Sequence, residues 1–460
     1  MFRGLALLRV NLHIVKPVEQ ASTIIELHLP FILVNPRTHG KIFIFSAPRS
    51  AQPKLSRILG KILFACRPTW NLGVMRTGIA ELPLHEGRVP GWLLTRMEKL
   101  SKAIVTLIVE EYGTVGFLER ISDPVYFQAL NNIIGMDWDS SGSTTVTTAI
   151  LKRVLSSEDL GVRACGGKGL LSRRTPDELR KASEEFGLES SRLVKASYLV
   201  AKVDSAAVQS GYQLYHHVFF VDEGGNWAVV QQGMNVVDRM ARRYHWLSTK
   251  LRDFSSNPHA GIQGRREPFA LNTVAEEASD FRRLVLDLVR DECRRIPSML
   301  SESVRILEGY SPLSSYVPYD PRKVRELREK FRRLGKPTVN RHVWARIREE
   351  DVGSFPDLLL LRNIGPATIR GLALVAELIY DVQPSWRDPV THPPVDPFKF
   401  AYAVGGKDGV PFPIDRRQYD ELLSMLNELM SRFRGDSRVL RRLSTLTRSW
   451  APPPEEKTPT

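Results

Sequence analysis

Cysteine is scarce: the chain has three in 460 residues, Cys66, Cys165 and Cys293, far apart and odd in number. That spacing neither builds a disulfide framework nor supplies the paired thiolates of a structural zinc centre. No zinc site is therefore expected, and the chain reads as cytoplasmic, from a reducing compartment. Long apolar runs are also missing. A bilayer span takes about 20 consecutive apolar residues, and no window approaches that. The N-terminal stretch MFRGLALLRVNLHIVKP is broken by Arg9 and has no small-residue cleavage site, so neither a membrane partner nor a secretory signal is expected. A phosphate-cradling P-loop is absent too. Cys165-Gly166-Gly167-Lys168-Gly169 lacks the four residues such a loop sets between its first Gly and its Gly-Lys, so no nucleotide cofactor is expected. The loop reads as a tight turn or as a backbone anion nest beside Lys168.

Acidic residues are rare at one end. Residues 1–74 hold ten Lys or Arg against only Glu19 and Glu26, so they carry +8 of the net charge of +14. A basic arm, a small accessory domain and sequence translated upstream of a true start at Met75 all account for this. The third is preferred, because the balanced, motif-dense stretch Arg76-Thr77-Gly78-Ile79-Ala80-Glu81-Leu82-Pro83-Leu84-His85 begins directly after Met75. The basic excess then says little about nucleic acid.

From Met75 onward the expected class is α+β and mostly helical. Residues 75–255 form an α+β body, 256–340 a helical region, 341–382 a helical hairpin module, 383–450 a small C-terminal segment and 451–460 a disordered tail. Leu93, Leu94, Met97, Leu100, Ile104 and Leu107 recur at three- and four-residue steps and predict a helix over 90–111. Further helices are predicted over 124–134, from the Ser/Thr-rich stretch after Gly142 through Leu155, from an N-cap at Thr175, over 268–307 and over 320–334. The last carries seven Lys or Arg interleaved with glutamates and reads as a solvated face.

Gln213–Val221 and Trp227–Gln232 are rich in aromatic and β-branched residues and flank Asp222-Glu223-Gly224-Gly225-Asn226. This predicts a β-hairpin in which His217 faces Gln231 and His216 faces Gln232. His216, His217, Gln231, Gln232 and Asp204 are the candidate catalytic residues, joined by Asn235, Gln213, His245 and His259. Imidazoles shuttle protons, amides orient water or phosphate, and Asp137, Asp139 and Asp204 are candidate ligands for Mg²⁺ or Mn²⁺. Neighbours on a strand point to opposite faces, so both histidines enter one site only if the strand bulges.

The segment Leu358-Leu359-Leu360-Leu361-Arg362-Asn363-Ile364-Gly365-Pro366-Ala367-Thr368-Ile369-Arg370-Gly371-Leu372-Ala373 resembles a helix-hairpin-helix DNA-binding element over about 25 residues. The resemblance implies phosphate contact by the Gly365 and Ala367 amides, with Thr368 and Arg370 in support, Arg362 alongside, and Asn363 in place of the usual first glycine. More broadly, residues 76–415 resemble a family of archaeal and bacterial proteins of unknown function. That likeness rests on Asp137-Trp138, Cys165-Gly166-Gly167-Lys168-Gly169, Gln213-Leu214-Tyr215-His216-His217, Arg243-Tyr244-His245-Trp246 and Ala403-Val404-Gly405-Gly406-Lys407. It imports no activity. The expected function is thus DNA processing or repair by a metal-dependent phosphodiesterase that grips DNA without sequence preference; the alternative is a noncatalytic scaffold with a repair-protein partner. No Asp followed by Glu-x-Lys marks a nuclease strand.

Overall fold

The computed structural model describes residues 32–34, 42–44, 89–136, 141–311, 320–337, 343–344, 347–392, 420 and 423–424. Two short strands, β1 (Ile32–Val34) and β2 (Ile42–Ile44), pair antiparallel. The rest of the segment 1–74, the candidate ligands Asp137 and Asp139, most of 383–450 and the tail lie outside the described residues.

The protein is mostly helical around an antiparallel sheet. Its five strands are β3 (Val162–Lys168), β5 (Gln213–Asp222), β6 (Trp227–Asn235), β7 (Met240–Leu247) and β8 (Gly261–Gln263), in the order β3-β5-β6-β7-β8. Two shorter strands, β4 (Val208–Gln209) and β9 (Leu271–Asn272), pair separately. The Asp222–Asn226 loop closes the predicted hairpin, with Val221 opposite Trp227, His217 opposite Gln231 and His216 opposite Gln232. Side chains alternate across the sheet. Val218, Phe220, Ala228 and Val230 pack on one face against α1 (Gly91–Ser122), α2 (Pro124–Ile133) and α3 (Ser141–Ser157). Phe219, Val221, Val229 and Trp246 pack on the other.

That second face is covered by α4 (Thr175–Phe186) and α5 (Ser190–Lys202). Its core runs on without a break into α6 (Ser279–Asp291), α7 (Ile296–Glu308), α9 (Phe355–Leu360) and α10 (Pro366–Ile379). The charged helix α8 (Pro321–Leu334) buries Val324, Leu327 and Phe331 and pairs its outer cations with Glu326, Glu329 and Asp381, as its solvated-face pattern predicts.

Three expectations shift. Helix α1 runs past Glu111 to Ser122, broken at Gly113, whose φ of 72° leaves the helical region. The predicted helix over 268–307 begins only at Ser279, because Leu271–Asn272 pair with β4 and Asn272 N donates to Ser385 O. Thr175 is the first residue of α4 and not its cap. Cys165 and Cys293 are buried free thiols. Among the described residues no helix is long and apolar enough to cross a membrane.

Candidate functional site

One register line crosses all five strands of the sheet: Lys168, His216, Gln232, Arg243 and Gln263 are successive partners. The adjacent line is Gly167, His217, Gln231, Tyr244 and Ile262. The first presents its inner polar side chains to α2 and α3, the second to α5. A bulge does occur, between Leu214 and His216. It precedes both histidines and therefore leaves them on opposite faces. The five candidate catalytic residues divide accordingly: His217, Gln231 and Asp204 form one group, His216 and Gln232 another. Of the proposed additions, His259 joins the first. His245 faces the other side and bonds Ile121 O through Nδ1 at 3.0 Å. Asn235 caps the β6–β7 turn by accepting from the Val237 and Asp238 amides, and Gln213 is exposed at the start of β5.

The glycine run places His217. At Gly166, φ is 104°, and a Cβ there would lie 2.3 Å from His217 O and 2.5 Å from Thr175 Oγ1. Only glycine permits this approach. The run is not an open anion nest: Gly166 N donates to Glu178 Oε2 at 2.6 Å, and Lys152 Nζ reaches Gly166 O at 2.8 Å. Lys168 ends the strand, and Gly169 starts a 3₁₀ turn to Arg174.

On the α5 side a chain of hydrogen bonds fixes a tautomer. Gln231 Nε2 donates to Val200 O at 3.1 Å and to Asp204 Oδ2, which turns Gln231 Oε1 toward His217 Nδ1 at 2.8 Å. An amide oxygen only accepts, so Nδ1 carries the proton. His217 Nε2 then presents its lone pair to Ser197 Oγ, 3.0 Å away. Asp204 is wholly buried and also accepts from Trp246 Nε1 at 2.8 Å and from His259 Nε2. Burial lowers the pKa of His217, opposed by its bond to Gln231 and by the charge of Asp204. A cavity of about 350 Å³ adjoins this chain, lined by Ser197, His217, His216, Arg173, Leu214 and Tyr215 among others.

The opposite face holds a second buried polar chain, and His216 also lines the cavity. Thr148 Oγ1 donates to Thr144 O at 2.8 Å, so its contact of 2.9 Å with His216 Nε2 is one in which the imidazole donates. His216 Nδ1 is left buried without a partner. Burial pushes the pKa of His216 down to about 3, helped by His217 and Lys168. Burial also drives His245 well below the usual histidine range, with Arg243 adding to the effect. Gln232 donates to Ser141 O at 3.0 Å and to Tyr215 Oη, and accepts from Thr144 Oγ1. The fully buried Arg243 guanidinium lies over the Phe127 ring at 4.7 Å and donates to Thr144 Oγ1, Gln128 Oε1 and Gln263 Oε1.

A second candidate region is the turn between α9 and α10. Asn363 adopts the left-handed φ of 75°, a conformation asparagine tolerates better than most residues. Ile364 is buried, and Gly365 caps α10 with extended backbone at φ −145°. Among the described residues the Gly365 and Ala367 amides meet no acceptor. Arg362 is exposed. Thr368 Oγ1 lies 3.5 Å from Asn363 O. Arg370 turns inward, donating to Gln209 Oε1 at 2.7 Å and Lys336 O at 3.3 Å. Lys202 Nζ donates to Ile364 O, and burial lowers its pKa.

Sequence reasoning missed Ser197, Thr148, Trp246 and Arg243. Ser197 and Thr148 sit at ordinary core-facing helix positions, and nothing local distinguishes their hydroxyls. Arg243 and Trp246 did stand in a quoted motif, and the cross-strand count carried one strand further would have put Arg243 beside Gln232. Among the described residues, no three His, Cys, Asp or Glu side chains gather as a metal site. No curated protein and no solved structure matches the sequence. A family model, DUF763, described as a protein of unknown function, matches residues 78–414, and the chain belongs to that family.

Proposed function

We propose that the protein binds DNA through its phosphate backbone at the turn Leu361–Gly365 and the first residues of α10, and that it serves DNA processing or repair. The observation that carries this reading is the pair of unengaged amides, Gly365 N and Ala367 N, at the positive end of a 14-residue helix. Such amides suit a phosphate oxygen. Exposed Arg362 adds charge at the same turn, and a Cβ built on Gly365 meets nothing within 4 Å. Backbone contact of this kind is sensitive to salt and indifferent to sequence. Arg370 is committed to Gln209 and leaves the direct contact to the amides, Thr368 and Arg362.

The metal-dependent phosphodiesterase step has less support. Both oxygens of Asp204 accept hydrogen bonds, from Gln231, Trp246 and His259 together, and a cation would displace those donors. A Mg²⁺ or Mn²⁺ role would fall to Asp137 and Asp139. The grip on the backbone serves a repair scaffold equally well.

Gly365→Val is the discriminating variant. The extended backbone accepts valine and the space around the Cβ is open, so the fold survives while a branched side chain stands where a phosphate would approach. Affinity for duplexes of unrelated sequence is expected to fall by one common factor. The slope of log K against log salt should become shallower by about one unit. Unchanged affinity removes the turn from the interface.

A further inference from the structure

We propose that Ser197 is a nucleophile with His217 as its general base, and that the adjoining cavity takes a small carboxylic ester. This activity is independent of the DNA grip and uses none of the residues of the α9–α10 turn. Three observations on different elements converge on it.

The first is the orientation of the imidazole. Gln231 Nε2 has two acceptors, Val200 O and Asp204, which forces Gln231 Oε1 onto His217 Nδ1 and leaves the Nε2 lone pair facing Ser197 Oγ at 3.0 Å. A nucleophile within hydrogen-bond reach of a base, itself oriented by a third group, is the arrangement that activates a hydroxyl. The second is that the orienting group is anchored. Asp204 holds Gln231 in place and is held in turn by Trp246 and His259, so the imidazole cannot flip without breaking a buried chain. A core hydroxyl that needed only a partner would require none of this. The third is access. Ser197 and His217 are each more than nine-tenths buried, yet both line the cavity of about 350 Å³. Leu214, Ala201 and Pro176 give that cavity apolar walls, and Arg173 supplies a cation. Apolar walls suit a short acyl chain, and the guanidinium suits the charge that develops on the carbonyl oxygen.

The chemistry closes on these groups. Ser197 Oγ attacks the ester carbonyl carbon as its proton passes to His217 Nε2. The bond to the leaving alcohol breaks, and that alcohol takes the proton from His217. Water then attacks the acyl-serine carbon and gives a proton to His217. The carboxylic acid leaves, and Ser197 Oγ recovers the proton. Ser197 and His217 are the catalytic residues. Gln231 is a positioning residue, and Asp204 acts through it.

The test is covalent. The full chain is incubated with an alkyl fluorophosphonate, which forms an oxygen–phosphorus bond to an activated serine with loss of fluoride, and the adduct is located by peptide mass spectrometry. The expected result is modification of Ser197. It should disappear in Ser197→Ala and slow by roughly 10²–10⁴-fold in His217→Gln, which keeps polar atoms but offers no base. The labelling rate should hold until the pH falls below the ordinary histidine value of 6.5, since burial lowers the pKa of His217. Hydrolysis of p-nitrophenyl acetate should follow the same variants. An unmodified Ser197 in a chain with native circular dichroism overturns the proposal. Equal labelling of wild type and His217→Gln overturns the role given to the histidine.

Discussion

His216 and His217 are chain neighbours on one strand, with opposite surroundings. On the α2–α3 side, His216 donates to Thr148 and its second nitrogen meets nothing. The polar groups there lie beneath two helices, and His216 also borders the cavity. On the α5 side, both nitrogens of His217 are engaged, in a chain that ends at a serine beside a cavity. Each face also buries an arginine. Arg242, on the His217 side, is paired with Asp388 at 2.6 Å, and both side chains are almost wholly excluded from solvent. Arg243, on the His216 side, has the Gln128 and Gln263 amides, the Thr144 hydroxyl and the Phe127 ring among its neighbours. The contrast teaches that burial alone does not distinguish a site. What separates the two faces is the tautomer: His217 turns an imidazole lone pair toward the Ser197 hydroxyl, whereas His216 donates to Thr148 and its other nitrogen has no partner.

Five substitutions, in four tests, break or sharpen that contrast. Asp388→Ala should cost the most, about 3–5 kcal/mol in urea unfolding, because it leaves the Arg242 charge buried and uncompensated. A loss under 1 kcal/mol would mean that water or another acceptor reaches that guanidinium. Gly166→Ala forces a Cβ against His217 O at a left-handed φ and should cost roughly 1–3 kcal/mol. It should also shift the His217 imidazole resonances more than those of His245.

The third test uses pH. The pKa of His216 in the folded state is about 3, below its usual value of 6.5, so the unfolded chain takes up the proton first. Its contribution to stability is complete above about pH 6.5 and is lost as pH falls through the interval toward 3, at ~1.4 kcal/mol per pH unit. His216→Gln should flatten stability against pH in that interval. His217→Gln should flatten it less, because Gln231 and Asp204 counteract the burial. Equal slopes in the two variants would erase the distinction between the faces. The smallest effect belongs to Gly365→Val, which should alter stability by no more than about 0.5 kcal/mol, so that any loss of DNA binding reports on the turn alone.

Much of the local structure was legible. The hairpin register followed from counting back across a five-residue loop, because an antiparallel ladder with a period of two leaves no freedom once the turn is set. The helices over 124–133 and 321–334 began where a prolyl residue follows an aspartate that caps the first amides. The helix over 268–307 was misread at its start. Its apolar residues at 270–275 are bound to β4 and to the segment at Ser385, partners over 60 and 100 residues away. The candidate site was half legible: the histidines and amides stood together in sequence, while Ser197 entered only when α5 packed against the sheet.

By itself, then, the sequence determined the class of fold, the pairing of His216 with Gln232 and of His217 with Gln231, and the left-handed turn at Asn363. All are consequences of short-range sterics and periodicity. The tertiary structure alone decided that His217 Nε2 meets Ser197, that Arg242 meets Asp388, and that Asp204 is saturated with donors. Those outcomes depend on which helix covers which face, and no local pattern encodes that.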